Sequence, residues 1–370
     1  MAFIALVAYA ADLGGTTRVL CHLARGFAEA GHRVAIVYCT SAGLAPDLAD
    51  APGPGVETHM LTDRRWRGRG LGQAATFIGY RRWLRRHRPD IVLGTGNNIN
   101  WFAALGALSA HLRGRYYVKT TNPIVRRSDG AVGGWLRRAV YGLIFRRSAG
   151  VMTLSDEETA LLQSQFPRAR DRFRTVHNAY LTAAFAPPRR QPRGDRPIVL
   201  LGAGRLAAQK RFDRLIRAFA AAGPTDARLR IAGDGPDRET LTALAADLGI
   251  ADRVQMIGYT PDMPAQMAAA DLFVLSSDYE GLPAVVIEAL ASDLPVVSTD
   301  CFPCARGMLT GLPGCAIVDR STDALAGALR DWLAAPPERS DLRRFAQPYS
   351  TANAVASHLA AMGEGRDNHD

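Results

Sequence analysis

Apolar residues run almost unbroken through "FIALVAY" (3–9) and "RVAIVYC" (33–39), while between them "GGTTRVLCHLARGFAEAG" repeats its apolar positions at helical spacing. Such runs predict strands, the intervening stretch predicts an amphipathic helix, and Gly31 sits where a helix C-cap is expected. Further strands are predicted at 90–95, 115–120 and 150–155. Near-continuous apolar strands separated by helices indicate a parallel sheet covered on both faces. The opening "MAFIALVAYAADLGG" also resembles a short secretory signal with an A-x-A site at Ala8–Ala10. It lacks a basic leading segment and runs into a Gly-Gly turn opening a helix, so a buried first strand is the expectation.

The stretch "AFAPPRRQPRGDRP" (184–197) has no periodicity and reads as an interdomain linker. The alternation then restarts, from strand "IVLLGAG" through helix "RFDRLIRAFAAA" to strand "PVVST". A last helical pattern, "TANAVASHLAAM" (351–362), follows a break at Pro336–Pro337. The expected organisation is an N-terminal Rossmann-like acceptor domain at 1–180, a linker at 181–197 and a C-terminal Rossmann-like donor domain at 198–345. Residues 346–370 supply a helix expected to pack back on the first domain, and a tail. The predicted fold is α/β, two doubly wound domains facing each other across a cleft. Ligands in such sheets sit at the carboxyl ends of strands.

With 370 residues, two cores are the natural expectation. No apolar run approaches the ~20 residues of a membrane-spanning helix. The five cysteines (21, 39, 301, 304 and 315) have neither disulfide-framework nor zinc-site spacing, which suits thiols in a reducing cytoplasm. Charge is divided unevenly. Residues 1–180 hold 25 Lys+Arg against 12 Asp+Glu, and residues 181–370 hold 20 against 23. The first half should therefore attract something anionic.

The chemistry concentrates in "LLGAGRLAAQKRFDRLIRAF" (200–219). Gly202, Gly204 and Ala207 fit a loose dinucleotide fingerprint, yet Arg205 and Lys210 interrupt the turn. The acidic residue ending the next strand, Asp234, also stands about 30 positions on rather than the ~20 that a dinucleotide site prefers. Two cations before a helix suit a diphosphate that becomes a leaving group, because fixed positive charge stabilises the charge that builds on departure. Arg205 can fork onto phosphate oxygens and Lys210 offers a point charge. The chain uses only two lysines, Lys119 and Lys210, against 43 arginines, so a lysine here stands out. A solvated helix start is the plain alternative.

In "SSDYEGLPAVVIEALA" (276–291), Glu280 falls in a loop and Glu288 about a turn and a half into the following helix. Two such carboxylates can address one elongated ligand. Embedded in "AVVIEALA", Glu288 is expected to be half buried and to need a partner, which ribose hydroxyls would provide.

These segments, "GRLAAQKRFDRLIRAF", "IAGDGP" and "EGLPAVVIE" in order, resemble the retaining glycosyltransferases of GT-B fold, family 4 (glycosyl transferases group 1). The resemblance is specific over about 197–300. It implies that Arg205 and Lys210 hold the donor diphosphate beside Gly204, that Glu288 binds the nucleotide ribose, and that Glu280 lies by the donor sugar. The backbone at Gly281 and Leu282 would then approach sugar and phosphate, and Arg205, Lys210 and Glu280 would form the catalytic set. More loosely, "LGGTTRVL" (13–20) is similar to the family's Gly-Gly loop, implying Gly14 and Gly15 near the donor phosphates, with Arg18 a weaker candidate. On the acceptor side "TGNN" and "VKTTNP" offer Asn97, Asn98, Thr121 and Asn122. The asparagines bind sugar hydroxyls or merely cap a helix, and the family's usual histidine is absent, with Thr120 and Thr121 instead. The chain also departs from the pattern at "DCFPCARGML", where Cys304, Ala305 and Gly307 stand for Gly, Pro and Glu.

No D-x-D triplet occurs, so no metal and no other cofactor is expected; the cations and helix N-termini would replace Mg²⁺. The expected activity is metal-independent, retaining transfer from a nucleotide-diphospho-sugar, UDP ahead of GDP, to a glycan or lipid-linked acceptor in cell-surface polysaccharide or glycolipid synthesis. The alternatives are a UDP-sugar 2-epimerase-like isomerase, a non-catalytic nucleotide-sugar-binding protein and, last, an NAD oxidoreductase. Two basic aromatic segments, 64–89 and 135–147, are candidates for contact with an anionic membrane surface, which would make the protein cytoplasmic and peripheral on the inner face of the membrane. In 135–147 the apolar residues Trp135, Leu136, Tyr141, Ile144 and Phe145 stand beside Arg137, Arg138, Arg146 and Arg147. The alternative is that these helices simply cover the sheet and display arginine to water. No nucleic-acid-binding motif accompanies them.

Overall fold

Every strand pairing among the described residues is parallel. The computed structural model describes residues 1–10, 15–40, 52–62, 71–112, 115–121, 124, 130–182, 185, 187, 194–223, 225–337 and 341–363. The chain divides into two units, Met1–Thr182 with Tyr349–Asp370, and Ala183–Pro348.

In the first unit the order is β1 (Phe3–Ala10), α1 (Gly15–Glu29), β2 (Arg33–Thr40), β3 (Val56–Met60), α2 (Leu71–His87), β4 (Ile91–Gly94) and α3 (Asn97–Ser109). β5 (Tyr116–Lys119), α4 (Ala131–Arg147), β6 (Gly150–Thr153), α5 (Asp156–Gln165) and β7 (Phe173–Thr175) follow. The sheet runs β3-β2-β1-β4-β5-β6-β7. The apolar opening of the chain is thus β1, a central strand whose residues Ile4 to Val7 are wholly buried. One core joins Ala5, Val37 and Val92 of the sheet to Tyr80 of α2, Phe102 of α3 and Phe145 of α4.

The second unit contains β8 (Ile198–Ala203), α6 (Phe212–Ala222), β9 (Ala227–Ala232), α7 (Arg238–Asp247), β10 (Val254–Gly258), α8 (Met263–Ala269), β11 (Leu272–Leu275) and α9 (Ala284–Ala291). It continues through β12 (Val296–Thr299), α10 (Ala305–Leu309), β13 (Ala316–Val318), α11 (Thr322–Ala334) and α12 (Arg343–Ala346). Its sheet runs β10-β9-β8-β11-β12-β13.

The last helix, α13 (Thr351–Gly363), belongs to the first unit and packs on α1. A Cβ at Gly26 would stand 2.5 Å from Val355 Cγ2, so the absence of a side chain there lets the two helices touch. Tyr117 donates its hydroxyl to the Met362 carbonyl at 2.8 Å, and the buried Lys119 Nζ lies 3.0 Å from His358 Nε2.

The basic segments differ from the sequence expectation. Residues 64–70 lie outside the described residues, and Leu71–His87 forms α2. In α4 the expected apolar face is split: Tyr141, Ile144 and Phe145 are buried in the core, whereas Trp135 and Leu136 are exposed. Tyr141 and Phe145 are one turn apart, and Trp135 and Leu136 lie around the other side of the helix. No helix among the described residues is long and apolar enough to cross a membrane.

Candidate active site

Strand order reverses at β8, with β9 on one side and β11 on the other. The loops leaving the carboxyl ends of β8 and β11 then diverge, which makes this the switch point where doubly wound sheets bind ligands. Lys210 lies on the first loop and Glu280 on the second. Lys210 Nζ donates to Glu280 Oε1 at 2.7 Å, and Ser277 Oγ donates to the same oxygen at 2.7 Å. A lysine ammonium carries three donors, so one N–H to Glu280 fixes its position and leaves two for a ligand.

The loop after β8 is built around glycine. Gly204 has φ +151°, and a Cβ there would come within 3.2 Å of Lys210 Cε, so the lysine stem lies across it. Gly233, at the end of β9, has φ +132°, and a Cβ there would stand 1.9 Å from the Gly204 carbonyl oxygen. At Gly235 a Cβ would approach the Leu206 carbonyl to 2.3 Å. The two glycines of "IAGDGP" therefore let two loop backbones touch. Arg205 is exposed and makes no hydrogen bond or ion pair among the described residues. Lys210 closes a short 3-10 turn before the helix (Ala208–Lys210), and Arg211, in the left-handed region at φ 51°, caps α6. Arg211 is occupied by Asp213 at 2.9 Å and Asp278 at 3.4 Å.

The loop after β11 is held from three sides. Arg214, buried on α6, donates to Asp278 Oδ1 at 2.6 Å and to the Ser276 carbonyl at 2.7 Å. Arg320 donates to the Asp278 carbonyl at 2.9 Å, and Ser276 Oγ reaches back to the Lys210 carbonyl at 2.9 Å. From β12's loop, the Cys301 carbonyl accepts the Glu280 backbone N–H at 2.7 Å. Burial pushes the Cys301 thiol up to about 11, with the Glu280 carboxylate adding to the shift and Lys210 opposing it. The altered 301–307 segment thus touches the site through its main chain. Cys304 and Ala305 are buried, and Arg306 pairs with Asp300 at 2.9 Å beside the exposed Gly307.

Glu288 lies in α9, and its burial exceeds the expected half: it is 2% exposed. Its carbonyl accepts the Ser292 hydroxyl at 2.8 Å. Leu282 is buried and Gly281 partly exposed, both just before α9.

In the first unit the strand order likewise reverses at β1, between β2 and β4. Gly15 opens α1, with no atom of the described residues within 4 Å of where a Cβ would go, and Arg18 is exposed three residues on. Gly14 and Asn122 lie outside the described residues, as does the side chain of Asn98. Gly96, not an asparagine, caps α3. Asn97 Oδ1 instead accepts the Thr121 backbone N–H at 3.1 Å, and the Asn97 carbonyl accepts the Tyr141 hydroxyl at 2.6 Å. Asn97 and Thr121 are therefore brought together, and that carboxamide oxygen holds backbone. Thr120 is buried on the Met152 carbonyl.

Sequence reasoning missed Ser277, Arg214, Asp278 and the Cys301 carbonyl. The pair of serines three residues before Glu280 was a signal for the first. Arg214 had none, because an arginine on an amphipathic helix looks like a solvated one. Among the described residues no group of three His, Cys, Asp or Glu side chains is arranged to hold a metal ion.

Comparison with known proteins gives the family. Residues 187–348 match the family model "Glycosyl transferases group 1", and residues 14–179 match "Glycosyl transferase 4-like domain". The chain is 30% identical over 344 residues to a GDP-mannose-dependent alpha-(1-6)-phosphatidylinositol monomannoside mannosyltransferase of Mycolicibacterium smegmatis, covering 80% of this chain and 86% of that protein. It is 28% identical over 294 residues to the lipopolysaccharide core biosynthesis glycosyltransferase LpsE of Rhizobium meliloti, covering 77% of this chain and 76% of that protein. Sucrose-phosphate synthase from Thermosynechococcus elongatus superposes with a TM-score of 0.81 at 18% identity, covering 100% of both chains. Two parallel Rossmann-like sheets, a cation-bearing loop at the switch point of the second and these matches together place the chain in the group 1 glycosyltransferases of family 4, enzymes of GT-B fold that use a nucleotide-sugar donor.

Proposed function

We propose that this enzyme transfers a sugar from a nucleoside-diphospho-sugar to a hydroxyl of a glycan or lipid-linked acceptor, with retention at the anomeric carbon and without a metal ion. The observation that carries this is the placement of Lys210, fixed by Glu280, beside Gly204 and the exposed Arg205 at the switch point. The C1–O bond to the diphosphate breaks while the acceptor oxygen bonds to C1 on the same face. The acceptor proton passes to an oxygen of the departing phosphate. Lys210 and Arg205 receive the negative charge that grows on that phosphate, the task a divalent cation performs in other sites.

Glu280 stands by the donor sugar, with Gly281 and Leu282 offering backbone to sugar and phosphate, and Glu288 takes the ribose hydroxyls. Gly15 offers an open backbone to the donor phosphates, and Arg18, Asn97 and Thr121 are on the acceptor side. Names of relatives support a cell-envelope acceptor: one acts on a phosphatidylinositol monomannoside and another in lipopolysaccharide core synthesis. The sequence expectation of UDP meets a relative that depends on GDP-mannose.

A thermal-shift panel of UDP-, GDP- and ADP-sugars identifies the donor as the one that raises the unfolding midpoint. Transfer with that donor in EDTA, with the product's anomeric configuration read by NMR, then tests the chemistry. Activity in EDTA and an unchanged configuration are expected. An inverted product, or activity abolished by EDTA and restored by a divalent cation, would refute the mechanism.

A further inference from the structure

Among the described residues, Arg88, His111, Arg211 and Asp293 are the non-glycine residues with a left-handed backbone. Arg88, His111 and Asp293 stand just after α2, α3 and α9, where that conformation is a common way to stop a helix. Arg211 also begins one: it is the N-cap of α6, at φ 51° and ψ 45°, directly after Lys210. N-caps are ordinarily extended and taken by Ser, Thr, Asp or Asn, whose side chains satisfy a free backbone N–H. The Arg211 side chain makes no such bond, and its Cβ works against the left-handed form, so the conformation is held by its surroundings.

Charge holds it. Arg211 forks onto Asp213 of α6, Nε to Oδ1 at 2.9 Å and Nη2 to Oδ2 at 3.0 Å. Its other arm, Nη1, faces both oxygens of Asp278 at 3.4 Å. Arg214, three residues on and so on the same side of the helix, donates to Asp278 Oδ1 at 2.6 Å. The Asp278 main chain is tied as well: its N–H donates to the Gln209 carbonyl at 2.9 Å, and Gln209 Nε2 donates to the Tyr279 carbonyl at 2.7 Å. The residues immediately before and after Lys210 are therefore both fastened to the loop that carries Glu280.

We propose, resting on the role assigned above to Lys210, that Arg211 is a positioning residue for the transfer. With Asp278 it closes a clasp across the two loops and holds Lys210 where the diphosphate is received, without binding the ligand itself. A lysine ammonium ends a flexible four-carbon stem, so it keeps its place only if the backbone beneath it stays fixed as firmly as its contact with Glu280. Groups held in the productive geometry before the ligand arrives spare the cost of ordering them on binding. Arg211 differs from a phosphate-binding cation because its guanidinium is spent on two aspartates, whereas Arg205 on the same loop is exposed.

A double-mutant cycle on the full chain tests this. The parent, Arg211→Gly, Lys210→Ala and the variant carrying both are titrated calorimetrically with UDP and with GDP, and the tighter of the two is compared. Glycine accepts φ 51° without strain, so Arg211→Gly should keep its unfolding midpoint within roughly 3 °C of the parent's and bind the diphosphate roughly fivefold more weakly. Lys210→Ala should weaken binding by roughly tenfold. Because Arg211 acts through Lys210, adding Arg211→Gly to Lys210→Ala should cost less than roughly twofold more. Arg211→Lys, which keeps a cation opposite Asp278, should bind within roughly twofold of the parent.

Arg211→Gly that binds like the parent while Lys210→Ala binds weakly would overturn the clasp and leave the role of Lys210 standing. A full fivefold loss that persists beside Lys210→Ala would also overturn it, since Arg211 would then meet the ligand itself or act on the fold at large. Lys210→Ala that binds like the parent would instead remove the role of Lys210, and the clasp with it.

Discussion

Lys210 Nζ and Glu280 Oε1 meet at 2.7 Å across 70 residues of sequence. The contact exists because β8 and β11 pair side by side, with Leu272 against Leu200, so the loops after them are neighbours. Glu280 is also held by Ser277 Oγ and, through its backbone, by the Cys301 carbonyl. The carboxylate fixes the position of the ammonium.

Replacing Glu280 by Gln removes that charge while preserving shape. If Glu280 acts by the donor sugar, kcat should fall by roughly 10²-fold while nucleotide affinity changes little. Ser277→Ala, which removes one neutral donor, should cost roughly tenfold or less. Steady-state kinetics beside calorimetric titration with the nucleotide separates the two effects. A variant that binds nucleotide poorly and turns over normally would place Glu280 elsewhere in the site.

Two glycines should respond oppositely to the same substitution. Gly233→Ala adds a Cβ that would overlap the Gly204 carbonyl and forces alanine to φ +132°, so a stability loss of ~2–4 kcal/mol is expected by denaturant titration. Gly15→Ala adds a Cβ that meets no atom of the described residues within 4 Å, so stability should hold within ~0.5 kcal/mol while donor affinity falls if phosphate approaches that backbone. Equal stability losses at both positions would remove the distinction.

The buried strands were plain in the sequence because each is an apolar run bounded by helices. β3, whose sequence "VETHM" alternates and which, among the described residues, pairs only with β2, was not, and neither was the three-residue β13 at the far edge of the second sheet. An edge strand contacts one neighbour and exposes polar positions, so it leaves no apolar run. Lys210, Glu280 and Glu288 were legible because a charge breaks an otherwise apolar or glycine-rich pattern. Arg214 and Asp278 were not, because nothing local distinguishes a buried arginine paired with a half-exposed aspartate from two solvated charges. The two faces of α4 illustrate the same limit: periodicity marks amphipathic helices, but here both sides of the helix are apolar and only the fold tells which is covered.

Glu288, 2% exposed in α9, is expected to serve affinity rather than turnover. Glu288→Gln should weaken binding of the nucleoside diphosphate by roughly tenfold or more and leave kcat at saturating donor nearly unchanged. Calorimetric titration against saturation kinetics would show whether the split runs the other way.

Burial lowers the Lys119 amine from its usual range to about 7, and burial with the Lys119 charge holds His358 well below the usual imidazole range. Between pH 7 and the unfolded lysine's value near 10.4, the unfolded chain holds a proton that the folded chain has released. Stability contributed here should therefore rise with pH across that window. Below it, a neutral folded His358 against a protonated unfolded one gives the same sign. Lys119→Met should flatten the rise in unfolding midpoint between about pH 7 and 9.5. An unchanged slope would mean that the amine stays charged in its buried place.

The most direct test measures what Arg205 and Lys210 do for a diphosphate. Calorimetric titration with a nucleoside diphosphate and with the matching nucleoside, on the parent and on Arg205→Ala with Lys210→Ala, isolates the phosphate contribution. The parent should prefer the diphosphate, and the double variant should lose roughly 10²-fold in diphosphate affinity while keeping its affinity for the nucleoside. A double variant that binds the diphosphate as tightly as the parent would contradict the role assigned to both side chains.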